Sequence, residues 1–452
     1  MSKARKTYRQ LIALSRSISV AFLTGKHLWH QQPVSNDNSH VHPKCKKKPN
    51  HNTVGDVVIV GGGIVGTSLA MFLSSTNMKV TLLEKQSVAS EATGLSAGTI
   101  YNAGIPKAPG SGAAEHVLHH LSTNIYANLH KTHDIEFTKC GCLQLANTEE
   151  ELVLAKETYE RESALMTNPS SSIHFLDTSE KVQKILPEAS SSVLGAVYTP
   201  NSSQVNASLA AHAFAELASS NGATIVEKAQ VKSINKKNNV YTVTTTDNNE
   251  FLAKIVVVAA GINCNDVLDD EYKINLFPVK GQMRMSGLSS DNTSFNSLPV
   301  IYWFESYNYW KQNNGQLTHD NYLKRLTHHA YGKRSPNGKL FFGGDRFAPQ
   351  RNNDYDVSET IISDLFFNKI YTSIPELEPF FENEEAGAWS GIMPFACDGL
   401  PTIDVLDSDG LYIAAGFGAN GIMLGPGASY LLSKWIKSGN KQIHLKKFER
   451  RN

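Results

Sequence analysis

Three groups of residues have the types and spacing for chemistry. Gly61, Gly63 and Gly66 form a G-x-G-x-x-G series at the end of the apolar run Asp56 to Val60, and Glu84 closes a second apolar run, Lys79 to Leu83. In such a series the first glycine permits a tight turn, the second lets backbone approach a diphosphate, and the third lets a helix close on a strand. The helix that starts at Ile64 and Val65 offers unpaired N–H groups and partial positive charge to phosphates. An acid in the position of Glu84 accepts hydrogen bonds from a ribose diol. A second cluster, Gly416, Gly418, Gly421, Gly425 and Gly427, joins a strand to a helix far along the chain. Glycines so dense cost chain entropy, which close approach of backbone to a ligand would explain. The third group is cationic and aromatic: Tyr302, Tyr331, Arg334 and Arg346, with His328 and His329 as bases and Lys280 on a strand nearby. Arginine's planar fork suits a carboxylate.

The five cysteines, at 45, 140, 142, 264 and 397, are odd in number and scattered, so they do not read as a disulfide framework. Cys140 and Cys142 form C-x-C without a second pair or a nearby histidine. They read as reduced core thiols, and no metal site is expected.

The elements that must position these residues follow from periodicity. Asp56 to Val60 and Lys79 to Leu83 read as buried strands flanking a helix from Ile64 to Ser75. After Glu84 comes a loop rich in small residues, from Lys85 through Ser90, Thr93, Ser96, Ala97 and Gly98. Small side chains there let backbone pass beneath a flat ring. Residues 114–131 and 149–168 are expected to be helical, Glu136 to Ala146 a strand, and Val193 to Pro200 another. A helix from Asn206 to Ser220, a strand at Thr224, a β-ribbon and a buried strand from Ile255 to Ala260 ending at Gly261 come next. From Phe277 to about Gly344 the pattern is mostly strands, 357–384 is helical with a break at Pro375, and Gly410 to Ala415 is a last strand before a helix to Lys437.

At 452 residues the chain suits two packed domains. With 41% hydrophobic residues and 19% charged ones it is an ordinary globular composition, and a net charge of +1 argues against nucleic acid as the main partner. Lys3, Arg5, Lys6, Arg9, Arg16 and Lys26 precede any acid, and Leu11, Leu14, Ile18 and Phe22 recur at helical spacing. This reads as a mitochondrial transit peptide followed by a polar linker; otherwise the protein is expected in the cytoplasm. No transmembrane segment is expected beyond it, since no run of 18 apolar residues follows the first fifty.

These pieces, in this order, resemble the FAD-dependent oxidoreductases of the D-amino-acid oxidase type, which include glycine and sarcosine oxidases, dimethylglycine dehydrogenase and L-2-hydroxyglutarate dehydrogenase. The more specific marks are PVKGQM at 278–283 and the late W-SGIMPF-CDGLPTI and GLYIAAGFGANGI blocks. The TGLSAGTIYNAG loop is most similar to the hydroxyglutarate enzymes, and the late block to the amine and amino-acid enzymes.

The resemblance implies an α/β fold: a Rossmann-like FAD-binding domain with a second α+β substrate domain on a mixed or antiparallel sheet. It divides the chain into 1–53 (transit peptide and linker), 54–110, 190–276 and 385–445 (discontinuous FAD domain), and 111–189 with 277–384 (substrate domain). It implies that Gly61, Gly63 and Gly66 cradle the diphosphate and Glu84 holds the ribose. Val231 contacts adenine, Gly261 closes the strand beside it, and Gly416, Gly418, Gly421 and Ile422 meet the flavin's pyrimidine edge. Leu95 stands where the covalent relatives carry a histidine, and the tethering cysteine of the monomeric sarcosine oxidases would fall near Gly391. Non-covalent FAD is therefore expected. The implied activity is oxidation of a small carboxylate-bearing amine or amino acid by hydride transfer to flavin N5, with Tyr302, Tyr331 and Arg334 around the substrate. A 2-hydroxy-acid dehydrogenase and a non-catalytic mitochondrial assembly factor are the alternatives. The electron acceptor (oxygen, a quinone or an electron-transfer flavoprotein) stays open.

Overall fold

The computed structural model describes residues 54–101, 112–165, 172–291, 293–304, 327–349, 364–382 and 387–451. The basic segment expected to be a transit peptide and linker, 1–53, lies outside the described residues.

The strand Gly55–Val60 is the axis of the first sheet. It pairs in parallel with Glu250–Val258 on one side and Val80–Leu83 on the other. The full order is Val231–Lys237, Val240–Thr245, Glu250–Val258, Gly55–Val60, Val80–Leu83, Thr224–Val226, with Leu411–Ala415 parallel to the far half of Glu250–Val258 and Thr402–Val405 beside it. An unbroken β-branched run suits a strand covered on both faces. Alternation sends Val57 and Ile59 into one core, under the helices Ile64–Ser74, Gly112–Leu129, Ala207–Ser220 and Gly421–Ser438. Val58 and Val60 enter the opposite core, with Tyr241, Val243 and Leu268.

The helix Gly421–Ser438 contains Pro426. Proline has no N–H to give the carbonyl four residues back. That carbonyl, on Ile422, instead accepts the buried Tyr126 hydroxyl at 2.9 Å, and the next residue, Gly427, gives its N–H to Ser122 Oγ at 2.9 Å. A proline that would ordinarily break a helix thereby fastens two helices together.

The second sheet has the order Gly387–Ala396, Leu276–Met285, Leu340–Phe347, Thr327–Arg334, Val300–Trp303, Cys142–Ala146, Gly195–Thr199, His174–Leu176. It is antiparallel except between Val300–Trp303 and Cys142–Ala146. Trp303, Phe342, Phe367, Ile370 and Phe381 fill the core on its back face.

The domain division expected from the sequence is corrected at three points. Gly195–Thr199 and Gly387–Ala396, placed by sequence in the nucleotide domain, are strands of the second sheet. The reason is pairing: Gly387–Ala396 is in register with Leu276–Met285 from one end to the other. The helix Gly112–Leu129, placed in the substrate domain, packs in the first core, where Ser122 and Tyr126 hold it to the last helix. The strand expected over Glu136 to Ala146 is split at Gly141, whose φ of +73° turns the chain between Thr138–Lys139 and Cys142–Ala146. Cys140, Cys142, Cys264 and Cys397 are free thiols.

Candidate active site

A cleft of about 1870 Å³, its open mouth included, runs between the two sheets. The first sheet and its turns line it with backbone. Gly61, Gly63, Ile64, Val65, Glu84, Lys85, Ser90, Thr93, Ser96, Ala97, Val231, Gly261, Gly416, Gly418, Gly421 and Ile422 all border it. Two of the predicted glycines do not. Gly66 stands behind Gly61, and a Cβ there would lie 1.9 Å from the Gly61 carbonyl oxygen. Gly98 turns away, gives its N–H to Ser96 Oγ at 3.1 Å and accepts the Val205 N–H at 2.8 Å.

Gly61 needs to be glycine twice over: its φ is +111°, and a Cβ would sit 2.5 Å from the Ala259 carbonyl oxygen. The turn so formed brings Gly62 N–H to Glu84 Oε2 at 2.7 Å, while Oε1 accepts Gln86 N–H at 2.8 Å. Glu84 is nearly buried, and burial raises its carboxyl above the usual range against the pull of those two N–H groups. Thr93 Oγ1 accepts the Ile64 N–H at 3.0 Å, so the small-residue loop caps the helix start itself. Lys85 pairs with Glu91 at 2.5 Å on the same rim. On the far side, Gly421 opens the last helix and directs its N-terminus toward the cleft, which favours negative charge there.

The second sheet lines the cleft with side chains. Tyr302 and Tyr331 are directly opposed across two strands and stack at 5.4 Å. Tyr101 packs on Tyr302 at 4.5 Å, and the Tyr302 hydroxyl bonds Thr99 Oγ1 at 2.8 Å. Arg346 lies opposite Gly281, and Gly281 lies opposite Gly391. Neither residue of that row beside the arginine carries a side chain, and Leu95 packs against Gly391. Arg346 is 7% exposed and rests over the Phe395 ring at 5.6 Å, with no hydrogen bond or ion pair to any described residue. Burial lowers its pKa from the usual guanidinium value, with the three tyrosines acting in the opposite sense, yet an arginine stays charged. Burial pushes the Tyr331 phenol up to about 12, and raises those of Tyr101 and Tyr302 as well. The wall is one cation among neutral hydroxyls.

Arg334, expected beside the substrate, is not in the cleft. It follows Tyr331 by three residues on one strand, so alternation turns it to the opposite face. There its Nε donates to Ser290 Oγ at 2.9 Å, and its Nη2 donates to Asp291 Oδ1 and Asn296 Oδ1. Lys280 is buried on the strand of Gly281, one residue out of phase with the cleft face. The side chains of His328 and His329 lie outside the described residues. Tyr101 and Trp389 border the cleft without having been singled out as site residues. Both stand in blocks that carry the resemblance, Trp389 in the late one and Tyr101 in the TGLSAGTIYNAG loop. The Trp389 indole donates to the Leu95 carbonyl at 3.0 Å and meets Phe341 edge-on at 5.2 Å. A Cβ on Gly391 would lie 3.0 Å from Leu95 Cβ. The two positions where related enzymes tether flavin thus touch each other, and neither has a nucleophile.

Among the described residues no group of His, Cys, Asp and Glu could hold a metal, and no helix is long and apolar enough to cross a membrane. The cleft does fit an extended dinucleotide. It has two glycine turns that a Cβ would close, a buried acid beside the first and a helix start at the second.

The family model described as FAD dependent oxidoreductase matches residues 56–435. Glycine oxidase of Geobacillus kaustophilus is 25% identical over 400 residues, covering 87% of this chain and 96% of the enzyme. L-2-hydroxyglutarate dehydrogenase of Escherichia coli is 28% identical over 211 residues, covering 46% of this chain and 47% of that enzyme. The solved structure of glycine oxidase from Bacillus cereus superposes with a TM-score of 0.71 at 24% identity, covering 88% of this chain and 99% of that one. The match runs from the first glycine turn through the second, and the chain belongs to the FAD-dependent oxidoreductases.

Proposed function

We propose that this oxidoreductase acts on a small carboxylate-bearing amine or amino acid. The observation that carries the reading is Arg346: a buried guanidinium facing the cleft with no hydrogen-bond acceptor among the described residues. Burying a charge without a partner is costly, so a folded chain that does so has a ligand to supply the partner. A carboxylate takes both arms of the fork. Gly281, opposite Arg346, adds no side chain beside it, and the Tyr331 and Tyr302 rings stack in the same wall. A fixed cation next to a bound ammonium favours its neutral form, so the substrate nitrogen releases its proton to solvent water through the open mouth of the cleft.

When bound, the flavin accepts the electron pair and hydrogen leaving the substrate carbon. In this reading Glu84, Lys85, Val231 and Gly261 hold the adenosine end. Gly61, Gly63, Ile64, Val65, Ser90, Thr93, Ser96 and Ala97 follow the diphosphate, with Gly66 and Gly98 shaping the turns behind. Gly416, Gly418, Gly421 and Ile422 meet the ring. The Leu95–Gly391 contact supports non-covalent attachment.

The test is anaerobic mixing of the FAD-loaded protein with glycine, N-methylglycine, D- and L-alanine, proline and 2-hydroxyglutarate. Bleaching of the flavin band with release of ammonia, amine or aldehyde supports the amine reading. Bleaching only by hydroxy acids, with a 2-oxo acid formed, replaces it with the dehydrogenase reading that the hydroxyglutarate relative suggests. A flavin inert to the whole panel favours a non-catalytic role. Yellow colour in an acid-precipitated pellet would contradict non-covalent binding. The same reading includes a mitochondrial address. A fluorescent reporter fused behind residues 1–53 that stays in the cytosol would remove that part.

A further inference from the structure

We propose that Tyr101 is a substrate-recognition residue of this cleft: its hydroxyl donates to the carboxylate held by Arg346, so that one bound acid is gripped from two separate sheets. The proposal rests on the carboxylate reading of Arg346.

Tyr101 belongs to neither wall of the cleft as described above. It follows the strand Thr99–Ile100, which pairs with Ser203–Gln204 in a third, three-stranded sheet completed by Thr138–Lys139. That pairing fixes the segment, and the bond between Thr99 Oγ1 and the Tyr302 hydroxyl, at 2.8 Å, ties it to the second sheet. Two residues beyond Thr99, the Tyr101 ring packs on Tyr302 at 4.5 Å, and Tyr302 in turn stacks on Tyr331 at 5.4 Å. Tyr101, Tyr302, Tyr331 and Arg346 all line the same cleft.

The hydroxyls of the buried tyrosines have different duties. A buried tyrosine ordinarily finds its hydroxyl a partner, as Tyr302 does on Thr99 and Tyr126 on the Ile422 carbonyl. Tyr101 is 8% exposed, yet its hydroxyl makes no hydrogen bond with any described residue. Nor is that oxygen sealed in the interior, so what it meets is the cleft space. Arg346 and Tyr101 act on each other through space, and burial holds the phenol far above its ordinary value, so it stays a neutral donor. A carboxylate offers about four acceptor positions. The arginine fork takes two of them, and a phenol from another sheet can take a third without adding a second buried charge. One cation for one anion leaves the buried pair neutral, which a second ammonium would not.

The experiment uses propanoate, an unreactive acid, and its uncharged amide on the FAD-loaded protein. It reads the shift of the flavin absorption band and the melting temperature. Tyr101→Phe should keep its flavin and the melting temperature of the ligand-free protein, because the lost hydroxyl has no partner in the fold. It should weaken propanoate by about tenfold or more, the effect of one hydrogen bond to a charged acceptor, and leave the weak binding of the amide unchanged. In Arg346→Met the same substitution should cost much less, because two groups on one carboxylate are coupled. Unweakened propanoate in Tyr101→Phe, or a full additional loss when that change is made in Arg346→Met, would overturn the proposal. So would a Tyr101→Phe protein that loses flavin or melts lower, since the hydroxyl would then serve the fold. An unmodified protein whose flavin band and melting temperature both ignore propanoate would instead remove the carboxylate reading of Arg346, and this proposal with it.

Discussion

The two walls of the cleft are built on opposite principles. The first sheet presents backbone: glycine turns at Gly61 and Gly416, helix starts at Ile64 and Gly421, and a single buried acid, Glu84. The second sheet presents side chains: Tyr302, Tyr331, Arg346 and Trp389. A backbone wall is set by where residues other than glycine cannot fit, so its specification is steric and local. A side-chain wall is set by which face of a strand each residue occupies, so its specification is register. Damage to the first should cost the cofactor, and damage to the second should cost substrate while the protein stays yellow.

Gly66→Ala should have the largest effect. Its Cβ would lie 1.9 Å from a backbone oxygen that neighbouring strands hold in place, and overpacking costs about 1–3 kcal/mol or more. Gel filtration after FAD reconstitution should return a colourless protein with a lowered melting temperature. Arg346→Met should keep full flavin absorbance and lose about a hundred- to a thousandfold in kcat/KM, as expected for removing one side of a buried charge pair worth roughly 2–5 kcal/mol. Loss of flavin in that variant would mean that the arginine serves the cofactor instead.

Tyr331→Phe should lower kcat/KM about fivefold, one hydrogen bond of roughly 1 kcal/mol. Its pH profile is the sharper reading. With a folded pKa raised to about 12, the phenol is protonated and neutral throughout the range below that value. Any alkaline limb between pH 7 and 10 should therefore appear unchanged in the variant; a limb that vanishes would contradict the raised pKa. The smallest effect belongs to Arg334→Ala. That arginine faces a mostly exposed Asp291, and pairs of this kind contribute about 0–1 kcal/mol. Unaltered kinetics with at most a small drop in melting temperature would separate the two arginines.

The same contrast explains what could be read from the sequence. The glycine turns, Glu84 and the small-residue loop were legible because a missing side chain at a fixed spacing is itself the signal. The strand pattern of the second sheet was legible too, but the faces of its strands were not. Arg334 and Tyr331 could have been separated by parity, three residues apart on one strand. Arg346 could not be placed that way, because an irregularity between Gln282 and Met283 shifts the register of the Leu340–Phe347 strand before the arginine is reached. The domain boundaries failed for a related reason. Gly387–Ala396 enters the second sheet by long-range pairing with Leu276–Met285, and nothing within ten residues of it announces that partner.

The hydrogen bond from Trp389 to the carbonyl of Leu95 spans 294 positions of sequence. Its meaning is partly temporal. During synthesis the loop that will lie along the cofactor is made early, and its anchor is made 294 positions later, ahead of Gly416 and the helix whose Pro426 secures Tyr126. Contacts at such separation form late and slowly. A nascent chain that has completed its first glycine turn has half of a binding site and exposed apolar edges. Cofactor capture should therefore be an event of the finished chain, with free FAD acting as a folding ligand that rescues yield.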